Sequence, residues 1–252
     1  MQVVVDGLLT NYQKTGNGSV ILLLHGWGDD CRTFAKLTSV LSTHYTVIAL
    51  DLPGFGGSQS PSVPWGINEY TIFVKSFLAK ITINKVYVVI GHSFGGAIAG
   101  YGVGNKNLLP KKLVLIAASG VRVKSTLRKN TLRTASKIAK VPLYVLPTHK
   151  AQAIKLKLYG KIGSDFLLIP NMRETFKKVV SEDIRHVTKN IKIPSLLIYG
   201  QKDHEAPPNQ GRLLADSIPG SNFIIIEDVG HFIHRDSDEA VERIVKFVEI
   251  KS

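Results

Sequence analysis

A single cysteine, Cys31, occurs in the 252 residues. A disulfide framework is therefore excluded, and a reducing, cytoplasmic setting is the expectation. No apolar run approaches the ~20 residues that cross a bilayer, and Met1-Gln2-Val3-Val4-Val5-Asp6 has neither the basic start nor the apolar stretch of a secretory leader. No group of Cys, His or carboxylates has the spacing of metal ligands, and no Gly-rich dinucleotide fingerprint or Walker lysine is present. No metal is expected, and no cofactor is implied. Acidic residues are scarce as well: 19 Asp plus Glu face 32 Lys plus Arg, a net charge of +13. Without a nucleic-acid-binding motif that charge does not make nucleic acid an expected partner.

The excess is confined to one stretch. Val121 to Lys192 holds 17 basic and 4 acidic residues, while the remainder carries 15 of each sign. Such a compositional step marks a domain boundary. Elsewhere, 44% hydrophobic and 20% charged residues suit a globular α/β domain with a full core.

The chain alternates buried runs with helical periodicity. Val3–Tyr12 and Ser19–Leu24 read as two strands joined at Gly16-Asn17-Gly18, Thr33–Leu41 as a helix, Tyr45–Leu50 as a strand and Asn68–Ile81 as an amphipathic helix. Val86–Ile90 and Lys112–Ala118 read as further buried strands, with a helix to about Val103 between them. From Val121 to Lys189 the alternation stops, with helical stretches broken by Pro142 and Pro147. It resumes with a strand at Pro194–Gly200, a helix near Asn209–Ser217, a strand at Asn222–Ile226 and a helix over Asp238–Ile250. Strand–helix alternation implies a mostly parallel, doubly wound sheet. The expected organisation is a core of residues 1–120 and 191–252 carrying an inserted, basic helical cap, 121–190.

The chemistry is expected where strands end. Gly91-His92-Ser93-Phe94-Gly95 fits G-x-S-x-G, directly after a buried strand and before a Gly/Ala-rich helix. A tight glycine-rich turn or a phosphate loop would share the pattern, but a phosphate loop also needs a lysine that is absent. A strand-to-helix turn lifts the serine hydroxyl clear of the sheet and aims free helix N–H groups at any anion formed there. A hydroxyl needs a base, and the base an orienting acid. Two later strands run into Asp203 and His231, which supply both.

The order Ser93, Asp203, His231 resembles that of the α/β-hydrolase fold, as do His25-Gly26-Trp27-Gly28, Asp51-Leu52-Pro53-Gly54-Phe55-Gly56 and Gly230-His231-Phe232. The resemblance covers essentially the whole chain. It implies that Ser93 is the nucleophile, His231 the general base and Asp203 the orienting acid. It also implies that the backbone N–H groups of Trp27 and Phe94 form the oxyanion hole, and that Gly26, Gly28 and Phe232 line the substrate loop. A serine nucleophile separates the chain from the family's dehalogenases and epoxide hydrolases, which carry a carboxylate there. His25 precedes the oxyanion turn and reads as a brace of that loop, His92 as a packed or hydrogen-bonded residue, His204 and His234 as structural or surface residues, Asp51 as part of a turn that shapes the site and Asp228 as exposed. Cys31 reads as packing, and Ser119 stands where some relatives place an alternative acid.

The resemblance implies a carboxylic-ester hydrolase acting on small or medium acyl groups. Carbon–carbon hydrolases of ring-cleavage products, pimeloyl-carrier-protein methyl ester esterases and monoacylglycerol-lipase-like members share the motifs. So do some hormone receptors that bind ligand on this fold with the triad intact. The basic segment suits a solvated face. It also suits an anionic substrate, an acidic carrier protein or an anionic lipid surface.

If that charge steers anionic substrates, kcat/KM for an anionic ester should fall severalfold as salt is raised past ~0.15 M, where the Debye length is about 8 Å. A matched neutral ester should stay nearly flat, and charge reversal at Arg128, Lys129 and Arg133 should remove the difference. Parallel salt curves for the two esters would count against steering.

Overall fold

The computed structural model describes residues 1–122 and 170–250. The basic segment's Arg128, Lys129, Arg133, Lys150, Lys155, Lys157 and Lys161 lie outside the described residues, as does most of the expected cap.

One eight-stranded sheet organises the chain, in the order β1-β2-β4-β3-β5-β6-β7-β8. Its strands are β1 (Gln2–Val5), β2 (Leu8–Thr15), β3 (Val20–Leu24), β4 (Thr46–Leu50), β5 (Val88–His92), β6 (Lys112–Ile116), β7 (Ser195–Gly200) and β8 (Asn222–Ile226). The pairings of β1 with β2 and β2 with β4 are antiparallel, and all the others are parallel. The alternation of strands with α1 (Ala35–Leu41), α2 (Ile67–Lys80), α3 (Ser93–Gly104), α4 (Arg173–Ser181), α5 (Arg185–Thr188), α6 (Pro208–Ala215), α7 (Ile233–Asp236) and α8 (Asp238–Glu249) gives the doubly wound sheet of the α/β-hydrolase fold.

Both faces of the central strands are dry, so the strands read as unbroken apolar runs. Along β3, Ile21 and Leu23 enter one core with Phe34, Leu37 and Leu41 of the α1 side and Val241, Ile244 and Val248 of α8. Leu22 and Leu24 enter the other, with α2, α3, Ile184 and Leu214. The same alternation repeats in β4 and β5, as a side-chain period of two requires.

One expectation for the N-terminal strands needs correction. The run Val3–Tyr12 is not one strand: Asp6 and Gly7, with φ of 46° and 83°, fold it into a hairpin that pairs Val5 with Leu8. Asp-Gly at two positive φ values is the favoured two-residue hairpin turn. Strands β2 and β3 are joined at Gly16–Gly18 but do not pair, because β4 lies between them. The expected helix at Thr33 begins as a short 3₁₀ turn, Cys31–Phe34, capped by the Asp30 carboxylate on the Arg32 N–H.

Residues 170–190 are pinned to the core. Met172, Thr175, Val179, Ile184 and Thr188 are buried. The Trp65 N–H donates to Thr175 Oγ1 (3.2 Å), the Ile67 N–H to Glu182 (3.2 Å) and the Ile184 N–H to the Gly120 carbonyl (2.9 Å). Residue 104 is glycine where α3 meets the Val187 backbone, which leaves no room for a Cβ.

The strand order reverses around β3. From β3 the chain leads to β4 on one side and then crosses to β5 on the other. Ligand crevices form at the carboxyl ends of strands flanking such a switch point. That places Gly26-Trp27 after β3 and Ser93 after β5 at the same crevice.

Lys112, only 2% exposed, opens β6 and drives its ammonium against the end of α8. Its Nζ donates to the carbonyls of Phe247 and Val248 (3.0 Å each) and Ile250. Helix C-terminal carbonyls lack intrahelical donors and carry partial negative charge, so a buried cation satisfies both demands. Lys112→Met would strand these carbonyls, and a loss of about 2–4 kcal/mol in urea unfolding is expected. A loss below about 0.5 kcal/mol would show that water replaces the ammonium.

Candidate active site

Ser93 is the first residue of α3 and has φ of 50°, a left-handed conformation that costs a non-glycine residue about 1–3 kcal/mol. The turn survives because its neighbours lack side chains. A Cβ on Gly91 would strike the Gly95 carbonyl, and one on Gly95 would strike the carbonyls of Leu24 and His25 at the end of β3. A Cβ on Gly26 would sit 3.0 Å from His92 Nδ1 and 3.3 Å from Ser93 Cβ. Three glycines thus bring the loop after β3 against the serine. The Phe94 N–H lies in the first turn of α3, where backbone donors have no intrahelical partner.

Trp27 lies over this loop in edge-on contact with Phe55 (4.9 Å between ring centroids), Phe94 (5.5 Å) and Phe176 of α4 (5.0 Å). Phe94 in turn meets Tyr70 edge-on at 4.9 Å. Gly28 is exposed and has φ of 73°, where a side chain would be strained.

Asp203 and His231 come from the loops after β7 and β8. The His231 Nδ1 is 2.7 Å from Asp203 Oδ2, and Asp203 Oδ1 accepts the N–H groups of Glu205 (2.8 Å) and Ala206 (2.9 Å). Both residues are buried, Asp203 to 2% exposure. Since a carboxylate only accepts, Nδ1 carries the proton and Nε2 is the basic nitrogen of the neutral ring. Residue 200 is glycine because a Cβ there would collide with the Val229 and Gly230 carbonyls, and so the two loops can meet. Phe232 packs against His231 with centroids 5.4 Å apart, and the Arg235 guanidinium lies over the Phe232 ring, 4.1 Å from its centroid.

The other histidines divide by burial. His204 is exposed, whereas His25, His92 and His234 are at most 1% exposed. The His92 Nε2 donates to the His231 carbonyl at 3.1 Å, and its ring lies between those of His231 (4.7 Å) and His234 (4.5 Å). His234 meets Thr33 Oγ1 at 3.2 Å. Burial pushes the pKa of all three below the ordinary value of 6.5, to about 3 for His234.

Asp51 holds a turn. Its carboxylate accepts from Cys31 N (2.7 Å), Gly57 N (2.8 Å) and Asn11 Nδ2 (2.8 Å). The same donors occupy the one grouping with metal-like proximity among the described residues, Asp30, Cys31 and Asp51. There Asp30 also binds Arg32. Burial and the Asp51 carboxylate push the Cys31 thiol up to about 12, so it stays protonated. Asp228 is exposed and pairs with Lys202 (2.8 Å), and the Ser119 N–H donates to the Ser93 carbonyl (3.0 Å).

A model of the alpha/beta hydrolase family matches residues 21–244. The chain belongs to that family. Among curated relatives, an uncharacterized protein of Mycobacterium tuberculosis is 28% identical over 97% of this chain and 80% of its own length. A pimeloyl-[acyl-carrier protein] methyl ester esterase of Chromobacterium violaceum is 25% identical over 90% of this chain and 93% of its own. The solved enol-lactonase of Burkholderia xenovorans LB400 superposes with a TM-score of 0.75 at 23% identity, covering 98% of this chain and 99% of its own. No helix among the described residues is long and apolar enough to cross a membrane.

Two neighbours of the site were not expected from the sequence. The Glu205 carboxylate lies 3.5 Å from His231 Nε2, and Phe176 closes the wall around Trp27. Glu205 follows Asp203 by two residues on the same loop, which is a signal of sorts. Nothing in the local pattern around Phe176 distinguishes it from a helix residue facing any core.

The buried histidines set an acid limit. Their folded pKa values lie below that of the unfolded chain, so the neutral forms cost nothing above pH 6.5. As the pH falls from 6.5 towards about 3, the unfolded chain takes up protons that the folded one resists. Each such histidine then removes up to about 1.4 kcal/mol of stability per pH unit. Urea midpoints should fall steadily between pH 7 and pH 4.5, with a shallower slope in His234→Gln. Equal slopes in the two proteins would contradict this assignment.

Proposed function

We propose that the protein is a serine hydrolase that cleaves carboxylic esters of small or medium acyl groups through an acyl-enzyme. Ser93 is the nucleophile, His231 the general base and Asp203 the orienting acid. The backbone N–H groups of Trp27 and Phe94 receive the oxyanion, and residues 121–190 form the cap. The observation that supports this reading is the 2.7 Å contact of Asp203 with His231 Nδ1, which leaves Nε2 as the basic nitrogen, beside the strained turn that carries Ser93 at the end of β5.

In the first half-reaction, His231 Nε2 takes the Ser93 proton as Oγ attacks the ester carbonyl. The tetrahedral oxyanion is held by the two N–H groups, each worth about 3–4 kcal/mol if oxyanion-hole mutants of other serine hydrolases are a guide. Collapse returns the proton from His231 to the leaving alcohol. Water then repeats the sequence on the acyl-enzyme and releases the acid. A substrate linked to an acidic carrier gains support from the similarity to the pimeloyl-carrier esterase together with the basic 121–192 stretch.

The test is a panel of p-nitrophenyl esters, thioesters and ring-cleavage diketones. Ser93→Ala should lower turnover of p-nitrophenyl butyrate by at least ~10³-fold with the fold intact. Unchanged turnover in that variant would end the mechanism. Turnover confined to the diketones would instead assign carbon–carbon cleavage.

A further inference from the structure

We propose that Glu205 is a specificity-determining residue that favours esters whose leaving alcohol carries a positive charge. The inference rests on the hydrolase reading above and names a substrate class for that site.

Glu205 sits on a loop that is bound to the orienting acid. Asp203 Oδ1 accepts its backbone N–H at 2.8 Å and that of Ala206 at 2.9 Å. From this base the side chain reaches the opposite edge of the imidazole, where Oε2 lies 3.5 Å from His231 Nε2. The ring therefore stands between two carboxylates in different surroundings. Asp203 is wholly buried at Nδ1, whereas the Glu205 side chain is 43% exposed at Nε2. Among the described residues no lysine or arginine pairs with Glu205. Lys202, on the same loop, is committed to Asp228 at 2.8 Å, and the Arg235 guanidinium lies over the Phe232 ring.

His231 Nε2 hands its proton to the leaving alcohol, so the alcohol oxygen must come within about 2.6–3.2 Å of that nitrogen. A carboxylate 3.5 Å from the same nitrogen is then within about 7 Å of the leaving oxygen, whatever the angle between them. A second nitrogen two carbons beyond that oxygen can close to ion-pair distance. The acyl group stays bonded to Ser93 in the intermediate, so this side of His231 serves the leaving group and afterwards the attacking water.

Charge then selects the kind of alcohol. The imidazolium formed during the reaction is balanced by Asp203 through Nδ1, which leaves the Glu205 carboxylate as the net charge beside Nε2. An alkylammonium in the leaving group offsets that charge, a phosphate or carboxylate there is repelled by it, and an uncharged alcohol leaves it unmatched.

The experiment compares 2-(trimethylammonio)ethyl butyrate with 3,3-dimethylbutyl butyrate, which has the same acyl group and nearly the same shape but no charge. Wild type, Glu205→Gln and Glu205→Lys are assayed at one pH and one ionic strength, with Tm measured for each. The readout is kcat/KM for the charged ester divided by that for the neutral one. A change in the basicity of His231 acts on both esters and cancels in this ratio, and repulsion by the basic 121–192 stretch is common to all three proteins. The ratio should fall about 3- to 5-fold in Glu205→Gln, as for a partly exposed ion pair, and further in Glu205→Lys. Equal ratios in the three proteins, or a wild type that turns over only the neutral ester, overturn this role alone where turnover still depends on Ser93. Turnover of the esters that survives Ser93→Ala overturns both this role and the hydrolase reading.

Discussion

Backbone atoms approach one another around Ser93 more closely than side chains would permit. Gly91, Gly95 and Gly26 are each hemmed in by backbone or by His92 and Ser93, and a Cβ on any of them would displace the serine, α3 or the loop after β3. The left-handed conformation of Ser93 is strained, and a local cost of this kind persists only where surrounding structure over-determines it. Here the surroundings are five parallel strand pairings and two dry cores, one on each face of the sheet. The crevice geometry is therefore a property of the whole sheet.

Around that turn the polar groups divide into satisfied and sparing arrangements. Asp203 accepts three hydrogen bonds, Asp51 three, and His25 uses both ring nitrogens. The Nδ1 atoms of His92 and His234 and the Trp27 Nε1 are buried without a protein partner among the described residues. Unpartnered buried nitrogens are costly, and a neutral imidazole bears that cost better than a cation. The site is thus adapted to neutral histidines stacked behind His231, at the expense of stability in acid.

Residues 170–190, a described tail of the basic stretch, contribute more than charge. They place Phe176 against Trp27, Met172 against Gly54 and Glu182 on the first turn of α2. These contacts couple the segment to the loops that flank the serine. Changes within 170–190 should therefore be felt at the crevice even where they touch no reacting atom.

The tight turn at Ser93, the order of strands and helices, and the strand ends at Asp203 and His231 were legible in the sequence, because each depends on local rules. Buried strands read as apolar runs, a tight turn demands glycine at fixed offsets, and a strand end precedes its functional residue by only a few positions. The Asp6-Gly7 hairpin was equally local and was missed because the apolar residues on either side merged into one apparent strand. Other features arise between segments far apart in the chain. They include the pairing of β2 with β4 rather than β3, the Lys112 ammonium on the end of α8, Glu205 beside His231 and the tautomer of His25. In sequence Lys112 is only a polar residue opening a strand, and His25 is legible as a brace of its loop but not in its partners or tautomer. Hydrogen-bond partners and burial are set by which backbone groups meet in space, and only the tertiary structure decided those meetings.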